Sequence, residues 1–246
     1  MAHETTAALQ SIATLNEGPL HAGLKAWYTR EGDRTEVPVD GRQIDIVRGK
    51  LLIEIQTRSL ASLRQKLERL LEDHHLVRLV LPVARERWIL RVDRDDGRLL
   101  SRRRSPKRGR LEHAFEELVS LPRLLAHPRF SLEILLTREE EVRRHEPGRA
   151  WRRRGWVVVE RRLVEVLERH LFHDARDLER LLPPDLPAPF TTADLAERLE
   201  VSRDVAQKMA YCLRRAGVLR DEGKRGRSRL YRVTACNEAA RPQSAG

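Results

Sequence analysis

Gly41-Arg42-Gln43-Ile44-Asp45-Ile46-Val47-Arg48-Gly49-Lys50-Leu51-Leu52-Ile53-Glu54-Ile55-Gln56 reads as two strands joined by a two-residue turn. Gly49-Lys50 suits a type II′ hairpin, which takes Gly at its first central position. That turn sets Arg48 opposite Leu51 and, counting outward, Asp45 directly opposite Glu54. Alternation sorts the side chains. Ile44, Ile46, Leu51, Ile53 and Ile55 share one face; Gln43, Asp45, Val47, Leu52, Glu54 and Gln56 share the other. Two carboxylates facing each other across a ladder repel. A hard cation held through their oxygens removes that repulsion.

Working toward the N-terminus, Asp40-Gly41 marks a second hairpin turn. Residues 35–39 form a short strand whose Pro38 suits an edge or a bulge. Before it, Asn16 caps a helix that admits Pro19 in its first turn, with Leu20, Leu24 and Trp27 or Tyr28 facing the core. Glu17, His21 and Lys25 line one face of that helix. Toward the C-terminus, Ser59 caps an amphipathic helix over 60–73 striped by Leu60, Leu63, Leu67, Leu70 and Leu71. Residues 76–82 read as a buried strand, which makes a βαβ crossover, and 87–92 as a further strand. An α/β core over 15–100 results.

The chain has 246 residues with a formal net charge of +11, a balance that favours a polyanionic partner. Aromatic residues are only 4%, so Leu, Ile and Val must build the core. Cys212 and Cys236 show no metal-ligand spacing, which suits a reducing compartment. No apolar run approaches a membrane span, and a soluble cytoplasmic protein is expected.

Residues 101–182 read as a basic loop followed by a mainly helical extension. Arg102, Arg103, Arg104, Lys107 and Arg108 surround Ser105-Pro106 and Gly109, a composition that can cradle phosphates. Residues 111–126 read as helical, 132–137 as a strand, 138–145 as a short charged helix and 157–182 as mostly helix. Between the last two lies an Arg-rich cluster bounded by Trp151 and Trp156, which could stack on bases. Pro183, Pro184, Pro187 and Pro189 mark a linker over 183–189. A compact unit follows over 190–234, and 235–246 read as a tail.

That unit resembles a winged helix-turn-helix domain: 193–199 form one helix, Ser202 caps a second over 203–216, and Gly217 ends it. The resemblance implies base contacts from the start of the second helix, at Arg203, Gln207 and Lys208. It implies phosphate contacts from a wing carrying Lys224, Arg225, Arg227 and Arg229.

The first unit resembles the PD-(D/E)XK nuclease superfamily in its order of a Glu-bearing helix, an Asp-bearing strand, a strand with the D/E-x-K signature and a helix behind. The matching positions are Glu17, Asp45 and Glu54-Ile55-Gln56, so the signature lysine is replaced by Gln56. The resemblance implies Mg²⁺ or Mn²⁺ held by Asp45, Glu54 and Glu17, with Gln56 orienting the attacking water. Lys25 or Lys66 would supply the missing charge, and Thr57 and Arg58 would hold the DNA backbone. Symmetric double-strand cutting would need a homodimer, and the sequence shows no interface for one. Two alternatives remain: a nuclease fold that binds DNA without cutting it, and a protein-interaction scaffold.

Overall fold

A computed structural model describes residues 18–234. The chain is mixed α/β. Its main sheet has seven strands, lying in the order 34–39, 42–48, 51–55, 76–92, 130–145 and 156–172, with 99–104 paired to 76–92. Helix α1 (Pro19–Tyr28) precedes β1 (Arg34–Val39), β2 (Arg42–Arg48) and β3 (Leu51–Ile55), which pair antiparallel. A 3-10 turn and α2 (Arg64–Glu72) then cross to β4 (Leu76–Val92), which lies parallel to β3. β5 (Leu99–Arg104), α3 (Phe115–Leu118) with flanking 3-10 turns, β6 (Phe130–His145) and β7 (Trp156–Phe172) follow.

The hairpin keeps the expected register at its turn, with Arg48 opposite Leu51 and Gly49 at φ +58°. It departs further out. The β2–β3 register runs only to Ile46 opposite Ile53. Beyond that pair the Asp45 side chain itself accepts the Ile55 amide, at 2.7 Å. On the other side, Glu36 takes φ +52° and the β1–β2 register skips from Thr35–Ile46 to Val37–Ile44. The kink also turns Ile44 away from its expected neighbours: it packs with Val47 and Leu52, whereas Ile46 and Ile53 pack on the opposite side. Asp45 is thus not a simple rung facing Glu54. It replaces a main-chain partner that the kink takes away.

The middle region is where the expectations fail. The strands expected over 76–82 and 87–92 are one strand, β4, continuous through a bulge between Ala84 and Glu86. Arg102, Arg103 and Arg104 lie in β5 rather than in a loop. The charged helix expected over 138–145 is the far half of β6. The helix expected over 157–182 is the strand β7, ended by a 3-10 turn over Arg176–Leu181. The charged side chains of these segments find their partners across the sheet: Arg161 lies opposite Glu141 and Arg162 opposite Glu140. Val157, Val158, Val159, Val164 and Val166 also favour the extended chain.

Two apolar clusters sandwich the sheet. Leu20, Leu24 and Tyr28 of α1 pack on Ile46, Ile53, Ile55, Val80 and Leu135. On the other face, Leu67, Leu70 and Leu71 of α2 and Phe115 and Leu118 of α3 pack on Leu52, Leu79, Leu132 and Ile134. That second cluster continues into the C-terminal unit: α4 (Thr192–Leu199), α5 (Arg203–Arg215) and the antiparallel hairpin β8 (Leu219–Arg225) and β9 (Ser228–Val233). Phe190, Leu195, Met209 and Leu213 share the core of Phe115, and Arg110 pairs with Glu200 at 3.1 Å. The proline-rich 183–189 is therefore a non-helical connection and not a divide between separate cores.

Candidate active site

Glu54 sits on β3, next to Leu79 of β4, and is 4% exposed. Lys66 reaches back from the first turns of α2 and places Nζ 2.6 Å from Glu54 Oε1. That oxygen makes no directed hydrogen bond, so the contact is chiefly one of charge. Lys66 also donates to the Gln43 carbonyl, which fixes the ammonium between β2 and β3. Burial pushes the Glu54 carboxyl up to about 7, and the nearby Asp45 charge adds to the rise; Lys66 opposes both. Asp45 is held by the Ile55 amide and by His21 of α1, whose Nε2 lies 3.2 Å from Oδ2.

Asp45, Glu54 and Lys66 therefore converge, as do His21 and the hairpin kink. Lys25, the other expected source of charge, pairs with Glu36, and Glu36 also accepts from Gln43 Nε2 at 3.1 Å. Gln56 turns its amide to the Ser59 carbonyl, at 3.0 Å. Glu17 lies outside the described residues. Among the described residues no group of three or more His, Cys, Asp or Glu side chains is placed to hold a metal ion. Among the described residues the site has two carboxylates, Asp45 and Glu54.

Two residues beyond Glu54, Gln56 opens the lining of a cleft of about 730 Å³. Thr57, Arg58, Lys107 and Arg108 line it as well, together with Arg87 of β4 and Arg161 of β7. Ser202 and Val205, at the start of α5, close one side. Arg161 was missed from sequence because β7 reads as helix; Arg87 stands on a strand that was expected, but only the order of the sheet brings it to the cleft. The signal was there in the opposed charges of β6 and β7. Behind the cleft, Glu141 is 2% exposed, with Arg143 at 2.5 Å, Arg161 at 3.5 Å and Arg87 at 3.6 Å. Burial raises the Glu141 carboxyl, but Arg143, Arg87 and Arg161 outweigh it and hold the group below its ordinary value.

The other basic residues divide. Arg102 lies over Trp88 at 4.1 Å and pairs with Glu140 at 3.3 Å. Arg104 and Arg108 both pair with Glu86, the latter at 3.4 Å, and Arg103 is exposed on β5. In the C-terminal unit, Ser202 accepts the Val205 amide as an N-cap. Arg203 and Gln207 share a smaller cleft, about 270 Å³, with Arg227, Ser228 and Arg229. Lys208 pairs with Asp204, Arg225 with Asp194 and Arg229 with Asp221; Lys224 and Arg227 are exposed at the hairpin end.

The family described as "Domain of unknown function (DUF8091)" matches residues 18–173, from α1 to the end of β7. An "Uncharacterized protein" of Treponema pallidum (strain Nichols) is 34% identical over 224 residues, covering 90% of this chain and 87% of its own length. A match of that length cannot stop at the end of β7, so it reaches into the C-terminal unit. No solved structure matches. With the family match spanning the whole seven-stranded sheet and its helices, the chain belongs to the family of the domain of unknown function DUF8091.

Proposed function

We propose that this chain binds DNA and hydrolyses its phosphodiester bonds with a divalent metal, Mg²⁺ or Mn²⁺, at Asp45 and Glu54. The observation that carries the reading is Glu54, buried beside Asp45 with its carboxyl pushed up to about 7, two residues before Gln56, which lines a cleft together with Arg58, Arg87, Lys107, Arg108 and Arg161. A nearly dry glutamate next to an aspartate is costly unless positive charge is close, and the two carboxylates have only the Lys66 ammonium and the His21 imidazole set against them in the described contacts. Carboxylate oxygens are the donors a hard cation such as Mg²⁺ takes, and water, the Ile55 carbonyl or the substrate would fill its remaining positions. The element order α1-β1-β2-β3-α2-β4, with β3 and β4 parallel, supports the PD-(D/E)XK reading.

When bound, the metal would polarise the phosphodiester and make its water more acidic. The chain's own residues do the rest. Lys66 supplies the cation that Gln56 lacks and holds Glu54 in place. His21 and the Ile55 amide fix Asp45. Gln56 can orient the attacking water once its amide leaves the Ser59 carbonyl. The cations of the cleft hold the backbone, so that water adds to phosphorus, the bond to the leaving oxygen breaks, and that oxygen takes a proton. The α4–α5 pair and the β8–β9 hairpin support a winged-helix reading, with Arg203 and Gln207 toward bases and Lys224 and Arg227 toward phosphates.

A second reading, DNA binding without cleavage, has one observation in its favour: the Gln56 amide is engaged by Ser59. Supercoiled, single-stranded and branched DNA incubated with Mg²⁺ or Mn²⁺ separates the two. Strand breaks that Asp45→Asn, Glu54→Gln and Lys66→Met each reduce at least about a hundredfold are expected. Tight binding with no break under either metal would leave the second reading. Affinity that does not change with salt would point to a protein-interaction scaffold.

A further inference from the structure

The long strands β6 and β7 are joined by residues 146–155. Three tryptophan rings lie in or near this end of the sheet, and two are closed. Arg102 covers Trp88, and Arg91 covers Trp156 at 4.5 Å. The third, Trp151, is 80% exposed, and Arg152 lies 5.1 Å from its ring. Arg149, Arg153 and Arg154 accompany it in the same loop. Glu146 pairs with Arg149 at 2.7 Å, and among the described residues no ion pair engages Arg152, Arg153 or Arg154.

The loop is built to hold that ring out. The Glu146 amide donates to the Gly155 carbonyl at 2.8 Å, and the Arg153 amide to the Ala150 carbonyl at 2.7 Å. His145 and Trp156 pack edge to face below, with ring centres 5.5 Å apart. Gly155 has φ +83°, and a Cβ there would lie 2.5 Å from His145 Nε2, so only glycine closes the base. Ala150 and Arg154, at φ +48° and +50°, bracket the turn that carries Trp151.

We infer that this loop is a stacking platform for an unpaired base: Trp151 takes the base on its open face, and Arg153 and Arg154 take the flanking phosphates. The assignment rests on the reading that the chain binds nucleic acid. Stacking on an aromatic ring tolerates any base and needs the base to be out of its duplex. A lipid surface fits less well. Within 146–155 the only apolar side chains beside Trp151 are Pro147 and Ala150, too little to anchor a loop in a membrane interface.

The test uses the full chain, a blunt DNA duplex, the same duplex with a single-stranded extension, and vesicles of phosphatidylserine and phosphatidylcholine. Trp151→Ala is expected to weaken binding of the extended duplex about tenfold and to leave the blunt duplex within about twofold. Wild-type tryptophan emission is expected to fall on adding the extension, and this quench to disappear in Trp151→Phe. If both DNAs bind and Trp151→Ala changes neither, or changes both equally, the platform is overturned while DNA binding stands. If neither DNA binds the wild type, both readings fall. Loss of vesicle binding in Trp151→Ala with DNA binding intact assigns the loop to lipid and overturns the platform.

Discussion

Glu54 and Glu141 are equally dry, at 4% and 2% exposure, yet their carboxyls are pushed in opposite directions. Glu141 lies in the far half of the sheet with three guanidiniums around it. Glu54 lies in the near half, between two apolar layers, with one ammonium and a second carboxylate. Burial raises both groups, and more strongly at the deeper Glu54; the neighbouring charges, arginines at Glu141 and Asp45 with Lys66 at Glu54, set the rest of the difference. Over-compensation by arginine marks a structural glutamate that ties strands together. Under-compensation marks a glutamate with room for another cation. The near half of the sheet is held by hydrophobic burial and the far half by cross-strand ion pairs, and the proposed site sits where apolar packing makes charge expensive.

The largest expected effect comes from breaking the far half. Glu141→Ala leaves Arg143 and Arg161 without their buried counter-charge and Arg87 with Glu139 alone, and should cost about 3–5 kcal/mol in denaturant unfolding. A loss no larger than that of an exposed substitution, such as Glu165→Ala, would mean that the far half does not depend on its ionic layer. Next is the pH dependence of the near half. Glu54 binds its proton more tightly folded than unfolded. Its contribution is therefore fully present below the unfolded value near 4.5 and is lost as pH rises through about 7. In the absence of divalent metal, stability should fall by on the order of 3 kcal/mol across that window. Glu54→Gln should flatten the curve. Glu141 acts in the opposite sense, contributing above its unfolded value and losing that contribution as pH falls through its folded one. Acid titration of Glu141→Gln against wild type checks this.

A smaller effect is expected at the sheet's far end. Gly155→Ala forces a Cβ against His145 at a positive φ, and a loss of about 1–3 kcal/mol in thermal unfolding is predicted. The smallest changes belong to the exposed wing. Lys224→Ala and Arg227→Ala should leave stability unchanged and each lower the slope of log affinity for DNA against log salt by about one.

The near half was legible because its pattern is local. Gly49-Lys50 sets the β2–β3 register, the leucine stripe of α2 sets its inward face, and together they place Lys66 near Glu54. The kink at Asp45 was not legible, since it depends on Glu36 in the neighbouring strand taking a left-handed conformation. The far half was misread because its strands carry the charges of an exposed helix. Glu165 and Arg169 look like partners one helical turn apart, yet Glu165 pairs with Arg138 and Arg169 with Glu133, both across the sheet. Only the sheet order makes those charges neighbours. The same misreading hid Arg161 from the list of cleft residues.

The claim that Asp45 and Glu54 form a cation site is tested most directly by unfolding the protein at pH 8 with and without Mn²⁺. At that pH most of the Glu54 carboxyl is charged, and the repulsion from Asp45 is near its greatest. The account predicts that Mn²⁺ raises the unfolding midpoint of the wild type and leaves those of Asp45→Asn and Glu54→Gln unmoved. An equal rise in all three proteins would place the metal elsewhere, and no rise in any would contradict a cation site at this pair.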